Sequence, residues 1–224
     1  MILVFDVFET LIDISPLSST FEQYFGNAAL AKEWFKEVLQ LAFVTTVIRK
    51  YSNFQEICQA SLDIIEKRND TPLSEELHKQ ILEKMNDLPP HADVIEGLQL
   101  LDNSGFHLMA LTNSTSASVE TLLKNAGLSQ YFKRIFSADS VHRLKPASRP
   151  YNMVAKELSI SPNSLMMVTC HSWDIAGAKR SGWNTSFVSR PGQVLNLLTP
   201  KPNFMAHDIP DLACQLIKKW DVFL

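Results

Sequence analysis

The chain has 224 residues, of which 46% are apolar and 20% charged, and its formal net charge is −3. That balance excludes disorder, seven Gly and eleven Pro exclude collagen-like or low-complexity sequence, and a pI near 6.1 gives no basic field to hold a nucleic acid. The apolar start, Met1 to Phe5, stops at Asp6 and is too short for a membrane span or a signal peptide, and three widely spaced cysteines (Cys58, Cys170, Cys214) read as reduced thiols of a soluble cytoplasmic protein.

In chain order, the first strand is read at Ile2–Phe5. From Pro16 to Pro90 only helical patterns follow, with apolar residues at spacings of three and four in Lys32–Tyr51, Asn53–Arg68 and Ser74–Met85. Further strands are expected at Leu108–Leu111, Arg134–Ser137, Leu165–Val168 and Thr185–Val188, alternating with helices at Ser116–Ala126, Arg149–Leu158 and Asp174–Ser181. Short, wholly apolar runs suit strands covered on both faces. The alternation predicts an α/β fold: a doubly wound, Rossmann-like parallel-sheet core of residues 1–15 and 91–224, with a helical cap domain of residues 16–90 inserted after the first strand.

Such sheets bind ligands at the carboxyl ends of their strands. The residues expected there are Asp6 to Thr10, Thr112 with Asn113, Lys145 with Pro146, and Thr169 to Asp174. A carboxylate after a buried strand is a nucleophile for an electrophilic carbon or phosphorus, although an Asp there also caps turns. Lys145 is placed to keep Asp6 ionised, and Thr112 and Asn113 offer donors to a substrate anion. Together these groups read as one active site.

Asp6-x-x-x-Thr10, Thr112-Asn113, Lys145-Pro146 and a distal Asp174 resemble the four motifs of the haloacid dehalogenase superfamily. Phe5 to Leu11, Leu144-Lys145-Pro146 with Tyr151, and Ser172 to Ala178 resemble its type II (S)-2-haloacid dehalogenase branch. The resemblance implies a metal-independent, cofactor-free hydrolase acting on a small carboxylate with water. Asp6 attacks C2 of the haloacid, halide leaves, and the aspartyl ester is hydrolysed. It further implies that Thr112 binds the substrate carboxylate and that Thr10, Tyr151 and Thr169 hydrogen-bond around Asp6 and Lys145. Asp174 positions or activates the hydrolytic water, and His171, where the branch carries Asn, is a second base or a hydrogen-bonding spacer. A homodimer through the cap is the default expectation. The alternatives are a phosphatase requiring Mg²⁺ and a non-catalytic binding member. Against the first, the position two residues after Asp6 is Phe8, which has no proton for a leaving oxygen, and Asp6 with Asp174 alone is a poor Mg²⁺ ligand set.

Two positions depart from the branch. Phe35 stands where an Arg facing the halide is expected. Three readings are open: Asn113, Trp173 and the edges of Phe8 and Phe35 cradle the halide, Lys36 or Arg49 reaches in, or a different electrophile is used. Glu9 stands where Gly is usual and is read as a solvated carboxylate, as one facing the cap opening, or as one meeting a Lys or Arg across the interface. Arg190-Pro191-Gly192 reads as a surface turn after the last strand.

Overall fold

The computed structural model describes residues 1–220. Strand β1 is Ile2–Phe5, and its Leu3, Val4 and Phe5 are all fully buried. Successive side chains of a strand point to opposite faces: Leu3 and Phe5 join one apolar cluster and Val4 joins another. The other strands are β2 (His107–Thr112), β3 (Arg134–Ser137), β4 (Leu165–Thr169), β5 (Asn184–Val188) and β6 (Phe204–Ala206). All six are parallel, in the order β3-β2-β1-β4-β5-β6. The strand order reverses at β1, between β2 and β4, and the crevice outside the carboxyl ends of the strands lies there.

Four helices leave the sheet after β1: α1 (Leu17–Phe25), α2 (Ala29–Ile48), α3 (Phe54–Asn69) and α4 (Glu75–Lys84). Asn53 starts α3 through a reciprocal capping box with Glu56. The outgoing and returning segments run side by side, with the Asp13 amide donating to Pro89 O and the His91 amide to Leu11 O, each at 2.9 Å. This clamp fixes how the helices sit on the end of β1. Helices α5 (Val94–Asn103), α6 (Ser116–Asn125) and α9 (Ile209–Trp220) supply Leu98, Leu101, Leu122, Leu212 and Leu216 to the cluster of Leu3 and Phe5. Helices α7 (Ser148–Glu157) and α8 (Ser172–Arg180) cover the Val4 face with Tyr151, Val154 and Ala178.

The five strands and six helical stretches read from the sequence are all present, with ends shifted by up to three residues. Missing from that reading are α1, α5, α9 and the edge strand β6, so β5 is not the last strand. No helix among the described residues is long and apolar enough to cross a membrane.

Candidate active site

Asp6 directly follows β1, and its amide still donates to Val168 O at 3.0 Å, so the sheet register carries the carboxylate to the crevice floor. Lys145 is almost wholly buried, and its ammonium donates to Asp6 Oδ1 at 2.8 Å, Asp174 Oδ2 at 2.8 Å and Leu111 O at 2.9 Å. Three acceptors satisfy all three of its protons. The Thr10 hydroxyl donates to Asp6 Oδ2 at 2.8 Å and accepts from the Cys170 amide at 3.1 Å. The Tyr151 hydroxyl donates to Asp174 Oδ1, so both oxygens of Asp174 are engaged.

The electrostatics follow from one ammonium serving two buried carboxylates. Burial would raise the pKa of Asp6, but Lys145 and His171, with hydrogen bonds from Lys145 and Thr10, hold it below the usual aspartate range. For Asp174, burial, helped by the charge of Asp6, outweighs Lys145 and raises it. Lys145 itself is raised, the two carboxylates overcoming its burial.

His171 lies 3.3 Å from Phe8 O, 3.5 Å from Asp6 Oδ2 and 3.6 Å from Glu9 Oε2, all measured from Nε2. Its ring stacks on Trp173 at 4.9 Å between centroids, and Trp173 in turn meets Phe43 of α2 edge-on at 5.4 Å. Burial on its own would lower the pKa of His171, but Cys170, Asp6 and Glu9 outweigh it and push the pKa up. Above Asp6, Phe8 packs on Phe35 at 6.1 Å and on Phe54 at 5.8 Å. A cavity of about 500 Å³ opens between α3, α4 and the start of α6, and Phe8 and Ser114 form part of its wall.

The structure therefore brings together Asp6, Phe8, Thr10, Lys145, Tyr151, Thr169, His171, Trp173 and Asp174, with Phe35 packed against Phe8. Several contacts differ from those expected. Tyr151 bonds Asp174 rather than Asp6 or Lys145, and Thr169 accepts from the His171 amide at 3.1 Å. Asn113 clamps the Lys145 backbone, accepting from its amide at 2.7 Å and donating to its carbonyl at 3.4 Å, so it holds a loop rather than offering a free donor. The Thr112 hydroxyl accepts from the Ser114 amide at 3.1 Å. Lys36 on α2 and Arg49 at its C-terminal cap are exposed and do not reach in.

Two residues escaped the sequence reading. Glu9 is neither solvated nor paired to a Lys or Arg: Gln193 Nε2 donates to its Oε1 at 2.9 Å, and its Oε2 is buried without a hydrogen-bond partner. Arg190 is buried, donating to Thr10 O at 3.0 Å and to Asp93 Oδ1 at 2.6 Å, so the presumed surface turn ties down the loop that carries Asp6. The signal for Glu9 was present in the chain, since a position where Gly is usual suggests a left-handed backbone. Its φ is 62°.

The superfamily implies Mg²⁺ for many members, and the donor set here fits it poorly. The Lys145 ammonium lies between Asp6 and Asp174, both Asp174 oxygens accept hydrogen bonds, and His171 adds a nitrogen donor to a site Mg²⁺ would want built from oxygens. The group of metal-ligating side chains that does converge, Asp63, Glu66 and His78, lies on α3 and α4, outside this site.

A buried aspartate ion-paired to a buried lysine thus stands at the reversal point of a parallel sheet, where α/β folds bind their ligands. The chain belongs to the haloacid dehalogenase-like hydrolase family, whose model matches residues 3–188. Within the family it is similar to the (S)-2-haloacid dehalogenases. That of Pseudomonas fluorescens is 22% identical over 220 residues, 97% of this chain and 97% of the relative. Haloacetate dehalogenase H-2 of Moraxella sp. (strain B) is 25% identical over 204 residues, 90% and 91% of the two chains. The solved L-2-haloacid dehalogenase of Xanthobacter autotrophicus with chloropropionic acid covalently bound has a TM-score of 0.90 at 21% identity, covering 96% of this chain and 98% of that one.

Proposed function

We propose that the protein is a metal-independent dehalogenase of small (S)-2-haloacids that works through an ester on Asp6. The observation that carries this is the Lys145 ammonium, 2.8 Å from both Asp6 and Asp174. It keeps Asp6 ionised and oriented as a nucleophile and fills the space a divalent cation would need. Asp6 attacks C2 in line with the carbon–halogen bond, the carbon inverts, and halide departs with the bonding pair. A halide needs no proton, which suits Phe8 two residues after Asp6. Water then cleaves the ester at the Asp6 carboxyl carbon and releases the 2-hydroxy acid.

The halide pocket has to function without an arginine. Trp173 Nε1 is buried and unpartnered, an N–H available to a departing anion. Phe8 and Phe35, with ring centroids 6.1 Å apart, add apolar edges to the site. With both oxygens bonded, Asp174 serves to hold Lys145 and Tyr151 in place. The insertion α1–α4 acts as the cap over the crevice, and Val44, Val47 and Ile48, exposed on α2, supply an apolar face for a homodimer.

The test is halide release from (S)-2-chloropropionate with EDTA present. Release by the wild type, with none from Asp6→Asn, is the expected result. Release that survives Asp6→Asn, or that needs added Mg²⁺, overturns the reading. Hydrolysis of a phosphate-ester panel in place of haloacids would move the protein to the phosphatases of the family.

A further inference from the structure

Hydrolysis of an Asp6 ester needs a group to take a proton from the attacking water. Asp174 is badly placed for it, because Lys145 and Tyr151 occupy both of its oxygens. His171 is closer, but its Nε2 faces three acceptors: Phe8 O at 3.3 Å, Asp6 Oδ2 at 3.5 Å and Glu9 Oε2 at 3.6 Å. A bare nitrogen lone pair there would point at three other lone pairs, so Nε2 carries a hydrogen and acts as a donor.

That leaves Glu9. One of its oxygens is held by Gln193, and the other is buried without a hydrogen bond, its nearest N–H being His171 Nε2 at 3.6 Å. A buried acceptor without a partner is uncommon and calls for an explanation. The backbone adds a second sign, because φ at Glu9 is 62°, a conformation that favours glycine. Strained positions of this kind cluster where a side chain must be aimed. Glu9 Oε2 and Asp6 Oδ2 both lie within 3.6 Å of His171 Nε2, so the Glu9 carboxylate stands on the same side of the crevice floor as the Asp6 oxygen that Thr10 holds.

We propose that Glu9 is the general base of the hydrolytic step, with the His171 Nε2–H donating to the Asp6 carboxyl oxygen on which negative charge develops. This rests on the Asp6-ester reading above and adds the group that completes it. Water forms a bond from its oxygen to the Asp6 carboxyl carbon and gives one proton to Glu9 Oε2. The tetrahedral adduct collapses, the bond from that carbon to the substrate oxygen breaks, and the alkoxide takes up the remaining acid proton to become the 2-hydroxy acid. Asp6 returns as a carboxylate, and Glu9 passes its proton to solvent, which balances one proton released per halide.

Burial raises the pKa of Glu9, against the pull of His171 and Gln193, and so moves the carboxylate toward the range where a base works at neutral pH. The charged groups around it are His171 and Asp6 at the strand ends and Lys32 on α2. Gln193 is a positioning residue that acts through Glu9.

The experiment is single-turnover and steady-state kinetics of Glu9→Gln with (S)-2-chloropropionate, combined with mass spectrometry of the Asp6 peptide. The expected result is a burst of one halide per site and a peptide carrying the ester, followed by turnover lowered by about 100-fold or more. Gln193→Ala should lower kcat several-fold with KM little changed. Near wild-type steady-state turnover in Glu9→Gln overturns the proposal. So does loss of the burst itself, which would put Glu9 in the first step. Absence of halide from the wild type would instead count against the dehalogenase reading. A measurement independent of turnover is ¹⁵N-histidine NMR, with His171→Asn used for assignment. Nε2 of His171 should stay protonated from about pH 6 to about pH 9 and shift in Glu9→Gln. A bare Nε2 in that range would make His171 the base and overturn the assignment to Glu9.

Discussion

The Lys145 ammonium sits 2.8 Å from Asp6 Oδ1 in a place where the lysine side chain is 1% exposed. A lysine so buried is held by its acceptors and in turn holds them. Lys145→Met leaves Asp6 and Asp174 as facing buried carboxylates without a cation, and removing one partner of a buried pair costs about 3–5 kcal/mol. Urea unfolding at neutral pH should show a loss of that size, together with loss of turnover. The pH dependence has a definite sign. The folded pKa of Lys145 is raised above the ordinary 10.5, so its stabilisation is complete below that value and falls as pH rises through the folded pKa. The alkaline loss of stability in the wild type should shrink in Lys145→Met. What remains belongs to the other groups whose pKa the fold raises, Tyr151 beside Asp174 together with Tyr51, Cys58 and His171.

Gly177 is the second point of control over the same network. A Cβ built there would lie 2.6 Å from the Tyr151 hydroxyl and 2.8 Å from both Pro146 Cβ and Pro146 O. Gly177→Ala must therefore move Tyr151 away from Asp174 or shift the loop that carries Lys145. Overpacking of this kind costs about 1–3 kcal/mol. Tyr151→Phe removes the same hydrogen bond without the clash and leaves a buried carboxylate oxygen unsatisfied, also about 1–3 kcal/mol. Both variants should lower kcat more than they raise KM, measured by halide release. Equal stability of Gly177→Ala and wild type in thermal unfolding would contradict the packing.

Much of this was legible in the chain because parallel-sheet strands are buried on both faces and so stand out as uninterrupted apolar runs, Ile2–Phe5 and Leu165–Val168 among them. Their carboxyl ends then locate Asp6 and Thr169 without any tertiary information. The edge strand β6 was not legible, since three residues between polar and proline-rich segments carry no period. Helix α5 was hidden by a run whose apolar residues include exposed Ile95 and Leu100. The contacts of Asn113 and Arg190 were invisible for another reason: a turn residue and a surface arginine look the same in sequence whether solvent or a backbone carbonyl receives them. Glu9 was misread because exposure is the default for a glutamate, and only the fold shows that Gln193 and His171 enclose it.

Phe35 tests how far the branch's arginine can be restored. The ring is 3% exposed and packs against Phe8 at 6.1 Å and Trp34 at 6.3 Å. A guanidinium there enters a buried, aromatic-lined position, and Phe35→Arg is expected to lower stability by about 3 kcal/mol or more, the cost of a poorly compensated buried charge. Phe35→Leu keeps an apolar contact with Phe8 and should be tolerated far better. Denaturant midpoints of the two variants check the stability order. Halide release checks the function: Phe35→Leu should remain active, whereas an Arg variant that is both stable and faster would show the pocket to be poised for a cation after all.

Glu9 offers the sharpest separation of stability from activity. Its φ of 62° places a side chain where glycine is favoured, and its carboxylate is buried at a raised pKa with one oxygen unbonded. Glu9→Gly removes the steric penalty of the left-handed backbone, about 1–2 kcal/mol, and the desolvated carboxylate with it. Against this stand the lost hydrogen bond from Gln193 at 2.9 Å, about 1 kcal/mol, and the greater freedom of glycine in the unfolded chain. The balance should leave Glu9→Gly as stable as the wild type or more stable by about 1 kcal/mol, while turnover falls sharply, the trade expected where strain serves a site. Thermal unfolding and steady-state halide release on the same preparation measure both. A variant that is less stable and yet as active as the wild type would mean that Glu9 is there for the fold and that the strain at this residue serves no chemistry.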